Sequence, residues 1–386
     1  MKKNLTQLIE NKIDRTKWQK WKFSDLVENI VNKVVPKESG LKHYIGLGHL
    51  DSGSLKIRRF GETSTLIGDK LKIYKGDLIF AKRNAYLKRV AIAEFDAVVS
   101  AHSLVLRPKP DNVLPEFLPF FLLSEKFWER AIEISVGSLS PTINWRVIAK
   151  QEFLLPPKDR QAQLAELLWA MDEVIEKELG VLEKLEMLYQ RIAADFFRKD
   201  SRKFETKVLG DLVSIKSGVS PSKFNFVQKK AGIPYYKVKD LNESIKFQYY
   251  AKEWVEEVPN NVIFPESVIF PKRGAAIMTN KVRIVIENCH IDTNTMALKI
   301  RDQKLLNNEF LYYFLLYKEL FRIADVAQIP QINNKHINPY PINLPPIVIQ
   351  LEFVKELNQV VETIELNKSK LMSSKSLQKS LINQVF

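Results

Sequence analysis

The sequence has 386 residues, room for two or three domains, and 45% of them are apolar, which excludes wholesale disorder. The formal net charge of +14 points to a polyanionic partner. A single cysteine, Cys289, excludes an internal disulfide and fits a reducing, cytoplasmic setting.

In chain order, residues 1–21 read as an N-terminal extension. Its stretch MKKNLTQLIENKIDR lacks the apolar core of a signal peptide. A first globular module is expected over 22–155. Lys72–Asp77, Leu78–Phe80 and Arg89–Ala93 read as strands around turns. Pro115–Ile134 reads as a helix, and Asn144 as the N-cap of a last short helix. A first long helix is expected over 156–199. From Arg160 to Phe197 it has no proline, and Leu164, Leu168, Met171, Ile175, Leu179, Leu182, Leu185, Tyr189, Ile192 and Phe196 form one stripe.

A second module is expected over 200–344, with strands at Val282–Ile286 and Met296–Ile300, a helix at Asn308–Ala324 and Asn333 as a second N-cap. A second long helix follows over 345–386. Its stripe is Leu351, Val354, Leu357, Val361, Ile364, Leu371, Leu381 and Val385, broken by Lys368 and Ser374. The most apolar stretches, near 114–123 and 310–317, fall far short of the roughly 20 residues that cross a bilayer, so no membrane contact is expected.

The second half repeats the first. Leu155-Pro156-Pro157 and Gln161 match Leu344-Pro345-Pro346 and Gln350, and Phe197 matches Phe386. Leu78–Ala85 faces Val268–Ala275, Ser140–Asn144 faces Ile329–Asn333, and Asp25-Leu26-Val27 faces Asp211-Leu212-Val213. Proline is tolerated at a helix start and not inside one, so each Pro-Pro closes a module and releases its helix. A helix of ~55 Å with one apolar stripe needs a partner, and the simplest partner is the other copy. Two repeats related by a pseudo-two-fold axis pair their helices antiparallel. The expected class is α+β: two pseudo-symmetric globular α/β domains separated by an antiparallel coiled coil of two long helices.

The charge is uneven. Residues 158–200 hold 7 basic and 10 acidic residues and residues 345–386 hold 5 and 4, a balance of −2, so the remaining residues carry +16. That suits modules that touch phosphates and helices that touch protein. Lys82, Arg83, Asn84, Lys88 and Arg89 form one basic group after a strand; Lys272, Arg273, Lys281 and Arg283 form its counterpart. Such side chains take phosphates, and Arg or Asn reads a purine edge. Ser138, Ser140 and Thr142, with Asn333, Asn334 and Lys335, lie in or just after polar loops that precede short helices and could offer hydroxyls and amides to DNA. The plain alternatives are solvated strand ends and helix caps.

No catalytic or metal site is expected. There is no phosphate loop ending in Gly-Lys-Ser/Thr and no Gly-x-Ser-x-Gly. His43 and His49 have no further ligands nearby, and Cys289-His290 reads as structural. Asn338-Pro339-Tyr340-Pro341 lacks the adjacent prolines of the Asn-Pro-Pro-Tyr motif of adenine methyltransferases, and no glycine-rich cofactor loop precedes it.

The doubled Leu155–Gln161 and Leu344–Gln350 segments, the helices ending at Phe197 and Phe386, and the stretches Gly76–Phe80 and Ser135–Asn144 together resemble the specificity (S) subunit of type I restriction–modification systems over nearly the whole chain. The resemblance implies two target-recognition domains, each reading one half of a bipartite double-stranded DNA site, with the helices fixing the gap. It implies two modification (M) subunits docked on the helices, which methylate adenine using S-adenosylmethionine, and restriction (R) subunits that join them. Catalytic residues and cofactor would then lie outside this chain. The competing reading is a coiled-coil adaptor or scaffold whose basic modules do not read DNA sequence.

Overall fold

The computed structural model describes residues 15–198, 203–326 and 328–386. The chain divides into two compact units. One runs to Gly180 and includes Ser369–Phe386; the other is Val181–Lys368. Among the described residues no helix is long and apolar enough to cross a membrane.

In the first unit, one sheet has the strand order Val27–Asn29, Ser103–Pro108, Leu78–Ala81, Val90–Ile92, all antiparallel. A second sheet centres on Ala97–Val99, which pairs parallel with His43–Ile45. Leu78–Ala81 is buried along its length, because it lies between the two sheets' apolar cores. The larger core gathers Phe80, Phe121, Phe127 and Trp128, with Phe80 and Trp128 stacked at 5.0 Å between ring centroids.

The second unit repeats this plan. Its first sheet runs Val213–Ser217, Thr295–Ile300, Val268–Pro271, Arg283–Val285, and gains an edge strand, Phe247–Gln248. Its second sheet carries the matching parallel pair, Ile233–Tyr236 with His290–Ile291. Phe310, Phe314 and Tyr313 fill the core as Phe117, Phe120 and Phe121 do in the first unit.

The long helices are Lys158–Arg198 and Ile347–Val385, each starting directly after its Pro-Pro. In the first unit the start of the first helix meets the end of the second: Leu164, Ala165 and Leu168 share a core with Leu381, Ile382 and Val385. In the second unit the end of the first helix meets the start of the second: Ala193 and Phe197 share a core with Phe353, Val354 and Leu357. The pairing is therefore antiparallel in both. The matched phenylalanines are anchors. Phe386 sits 5.3 Å from both Phe117 and Phe121, and Phe197 sits 5.6 Å from Phe310 and 5.8 Å from Phe314.

Gln161 and Gln350 explain the sequence motif that contains them. Each is buried in the first turn of its long helix. The Gln161 side chain accepts from the Leu114 amide at 2.9 Å and donates to the Pro156 carbonyl at 2.9 Å. Gln350 accepts from the Asn307 amide at 2.9 Å and donates to the Leu305 and Pro345 carbonyls at 2.8 Å. One carboxamide thus satisfies backbone groups that burial would otherwise orphan, and it locks each helix to its module.

Four local expectations change. The helix expected over Pro115–Ile134 is two helices, Leu118–Leu123 and Glu125–Glu133, because Ser124 turns to an extended conformation and caps the second through the Phe127 amide at 3.2 Å. The helix expected over Asn308–Ala324 ends at Lys318, where Glu319 adopts a left-handed conformation, and a short 3-10 turn, Leu320–Ile323, follows. Leu351 is exposed, and Phe353 takes its place in the buried stripe, since two residues turn a helix by about 200°. Residues 1–14 of the N-terminal extension lie outside the described residues, but Gln19–Lys22 forms a strand against Glu152–Leu155. Thr206–Val208 against Pro341–Asn343 is its counterpart, so the extension's end belongs to the repeat.

Candidate nucleic-acid interface

In the first unit the buried strand Leu78–Ala81 delivers Lys82-Arg83-Asn84 to a loop that lies beside a second loop, Val136–Thr142, more than 50 residues later. Backbone hydrogen bonds zip the two together. The Ile143 amide donates to the Lys82 carbonyl at 2.8 Å and the Ala85 amide to the Pro141 carbonyl at 3.2 Å, while Arg83 and Thr142 form a β-bridge. The Val136 and Thr142 amides and carbonyls close the second loop on itself at 3.0 and 2.9 Å. Side chains then complete a chain of contacts. Arg83 Nε donates to Ser140 Oγ at 2.8 Å, and Ser140 Oγ donates to Asn84 Oδ1 at 2.8 Å. Asn84 holds a left-handed φ of 58°, a conformation asparagine tolerates better than most residues.

The second unit builds the same junction with different side chains. The Ile332 amide donates to the Lys272 carbonyl at 2.8 Å, the Gly274 amide to the Pro330 carbonyl at 2.8 Å, and Arg273 bridges Gln331. Gly274, at φ 77°, stands where Asn84 stood. Gln331 Nε2 donates to Asn333 Oδ1 at 3.1 Å, and Asn333 occupies the N-cap of Asn334–Ile337, its amide donating to His336 Nδ1 at 3.0 Å. Asn334 and Lys335 are exposed.

The candidate side chains separate into two groups. Lys82 and Lys272 lie at matched positions, partly buried, and burial depresses the pKa of each ammonium; Arg273 adds to the effect on Lys272, and the Asp292 carboxylate opposes it. A desolvated cation is suited to accept an anion. Arg83, Ser138 and Arg273 are exposed at the same loops. Other candidates are engaged within the fold. Lys88 pairs with Glu125, and Lys281 donates to Asn242. Arg89 donates to the Leu47 carbonyl at 2.6 Å, and burial lowers its pKa. Arg283 is buried with its guanidinium on the Val282 and Leu241 carbonyls at 2.6 and 2.7 Å. Thr142 Oγ1 is turned to the Ser140 carbonyl at 3.0 Å.

The sequence reading missed His102. Its carbonyl accepts from the Lys82 amide at 3.2 Å, and its imidazole is exposed, with a pKa lowered by burial and by the charges of Arg83 and Lys82. No sequence signal marked it, because it reaches the loops only through strand pairing. His43 packs edge-on against Phe60 and Phe95, and His49 Nδ1 accepts from the Gly46 amide at 3.1 Å. His290 is buried beside Cys289 and bonds the Val258 amide and the Asn261 carbonyl, both at 3.1 Å. The Asn338 and Tyr340 carbonyls accept from the Gly210 and Leu209 amides, as the Ala149 and Gln151 carbonyls accept from Ser24 and Phe23, so that stretch is a backbone clasp. Among the described residues no cluster of His, Cys, Asp and Glu has a metal-holding arrangement.

The family profile described as Type I restriction modification DNA specificity domain matches residues 16–187 and again residues 201–373. The chain belongs to that family. Each match takes in one module and most of the long helix that follows, so the internal repeat is the family's domain used twice, and the role of this specificity subunit is DNA sequence specificity. The MjaIX specificity subunit of Methanocaldococcus jannaschii is 24% identical over 81% of this chain and 77% of its own length. The putative MjaX specificity subunit of the same organism is 22% identical over 95% and 92%. Among solved structures, the type I S subunit of M. genitalium superposes with a TM-score of 0.62 at 16% identity over 97% of this chain and 98% of that one. A chain from a study of type I R-M complex assembly and conformational transition gives 0.60 at 21% identity over 95% and 97%. These two likenesses concern the fold.

Proposed function

We propose that each module reads one half of a bipartite duplex site and that the paired helices set the unspecified gap between the halves. The observation that carries this reading is the repeated loop junction, in which the same strand in each module delivers a Lys-Arg pair to a second loop held by equivalent backbone bonds. In this reading Lys82, Lys272, Asn334 and Lys335 face phosphates, and Arg83, Asn84, Ser138 and Arg273 lie towards the groove. Arg89, Arg283, Lys88, Thr142 and Asn333 shape the loops from within, and Lys281 stands at the rim.

The reaction chemistry belongs to partners: two M subunits carrying S-adenosylmethionine, and R subunits joined to them. Exposed apolar side chains on the helices support docking of a protein there: Met187, Leu188 and Leu366 in the second unit, Met372 and Leu377 in the first. Co-expression with the neighbouring M subunit, followed by methylation-sensitive sequencing of host DNA, tests the whole reading. The expected product is a two-part adenine-methylated motif, and a continuous motif or none would sink it. Lengthening both helices by matched turns is expected to widen the gap and leave both half-sites unchanged.

A further inference from the structure

We infer that Arg83 is a base-reading residue of the first module, aimed at a guanine edge, and that Ser140 is its positioning residue; this rests on the DNA-reading function proposed above. Four arginines of that unit meet carboxylates: Arg58 meets Glu176, Arg59 meets Asp51, Arg107 meets Asp77 and Arg130 meets Glu133. Among the described residues Arg83 has no such partner. There its one side-chain hydrogen bond is at Nε, where it donates to Ser140 Oγ at 2.8 Å, and its two terminal nitrogens are engaged by none of them.

That geometry favours a base over a phosphate. A guanidinium held at Nε presents one planar pair of donors, and the major-groove edge of guanine offers one planar pair of acceptors, O6 and N7. A phosphate contact needs no such orientation, and Lys82 already supplies a flexible cation beside it. The serine is itself fixed. Its hydroxyl donates to Asn84 Oδ1 at 2.8 Å, and its loop is bridged to Arg83 through Thr142. A side chain that must discriminate bases gains from such support, because misplacement by about 1 Å loses the second hydrogen bond.

The surroundings point the same way. Leu139, next to Ser140, is 95% exposed, and Val136 is 74% exposed at the same loop. Apolar tips meet base edges and thymine methyl groups and gain nothing from phosphates. The second module lacks the device: Gly274 replaces Asn84, and Ile329 stands at the position of Ser140. The buttressed fork therefore belongs to one half-site only.

The test is selection from randomised duplexes by the full chain, with and without its co-expressed methyltransferase partner. Wild type, Arg83→Gln, Arg83→Lys, Ser140→Ala and Ser140→Thr are compared. The expected wild-type motif has a G·C pair in one half-site that Arg83→Gln and Arg83→Lys relax by about 10-fold or more, with the other half-site and the salt dependence unchanged. Ser140→Ala relaxes the same base pair to a smaller extent, and Ser140→Thr, which keeps the hydroxyl, restores it. The unaffected half-site reports that each variant is folded. If Arg83→Gln instead weakens binding to every sequence equally and lowers the salt slope by about one, Arg83 is a phosphate contact and the inference is overturned while the DNA-reading function stands. A wild-type chain that selects no sequence overturns both.

Discussion

The two units use the paired helices differently. In the second unit the seam is aromatic: Phe196 stacks on Phe353 at 4.0 Å, Phe197 meets Phe353 at 5.1 Å, and Tyr189 lies beside Tyr313. In the first unit the buried seam includes Asp172, Glu178 and Gln378 among the leucines. The Asp172 carboxylate is hydrogen-bonded by the Gln378 amide, yet burial raises its pKa above the ordinary carboxylate range. Glu178 reaches Lys370 at 3.5 Å, but among the described residues neither of its buried oxygens has a hydrogen-bond partner. Duplication has preserved the topology of the pairing, while the free energy comes from apolar burial in one unit and is reduced by desolvated carboxylates in the other. Buried polar groups at such a seam cost stability and fix register, so the first unit is the one where alignment is specified chemically.

Four measurements sharpen or break that comparison. Phe353→Ala is expected to have the largest effect, a loss of about 3–5 kcal/mol, because it removes an aromatic ring from a packed seam. Denaturant unfolding read by hydrogen exchange in each unit checks it. A loss no greater than that of Gln378→Ala in the first unit would show that the aromatic seam is not the stronger one. Next, Gln161→Leu and Gln350→Leu are each expected to cost about 1–3 kcal/mol, since each removes the acceptor of a partly buried backbone amide, that of Leu114 or of Asn307. This device is common to both units, so a large difference between the two variants would mean that the units differ beyond their seams.

Asp172→Asn acts in the opposite direction. The folded carboxyl has a raised pKa, so the folded state holds its proton more tightly than the unfolded one. The penalty is fully present at neutral pH and disappears as pH falls below the unfolded value of about 3.9. The variant is therefore expected to gain roughly 1 kcal/mol at pH 7, with no gain near pH 3, measured by thermal melting. The smallest effect concerns His290. It occupies the parallel strand of the second unit at the place where the first unit has Val98. Burial depresses its pKa, so its contribution is present above about pH 6.5 and lost as pH falls below that value. A mild loss of melting temperature between pH 7.5 and 5.5 is expected, centred on the second unit and absent in His290→Asn.

Much of the architecture was legible because the signals were local. The doubled Leu-Pro-Pro, the proline-free stripes and the matched phenylalanines gave both helices and both modules, and Phe197 and Phe386 proved to be equivalent anchors. The stretches Lys82–Asn84 and Ser138–Thr142 were each read as loop segments, although nothing in the residue order showed that they touch. The fate of individual charges was not legible. Arg89 and Arg283 look like Arg83 on paper, but Arg89 lies just before the strand Val90–Ile92 and Arg283 starts the buried strand Arg283–Val285, where their guanidinium groups meet backbone carbonyls. His102 carried no pattern at all.

What the sequence alone determined was the doubling, the positions of the helix starts and the excess of positive charge on the modules. Those follow from proline chemistry, apolar periodicity and composition, which act within a few residues. The tertiary structure decided which distant loops meet, which cations remain free and which half of the seam holds buried carboxylates. Those depend on the direction of each side chain and on the water removed by neighbours far away in the chain.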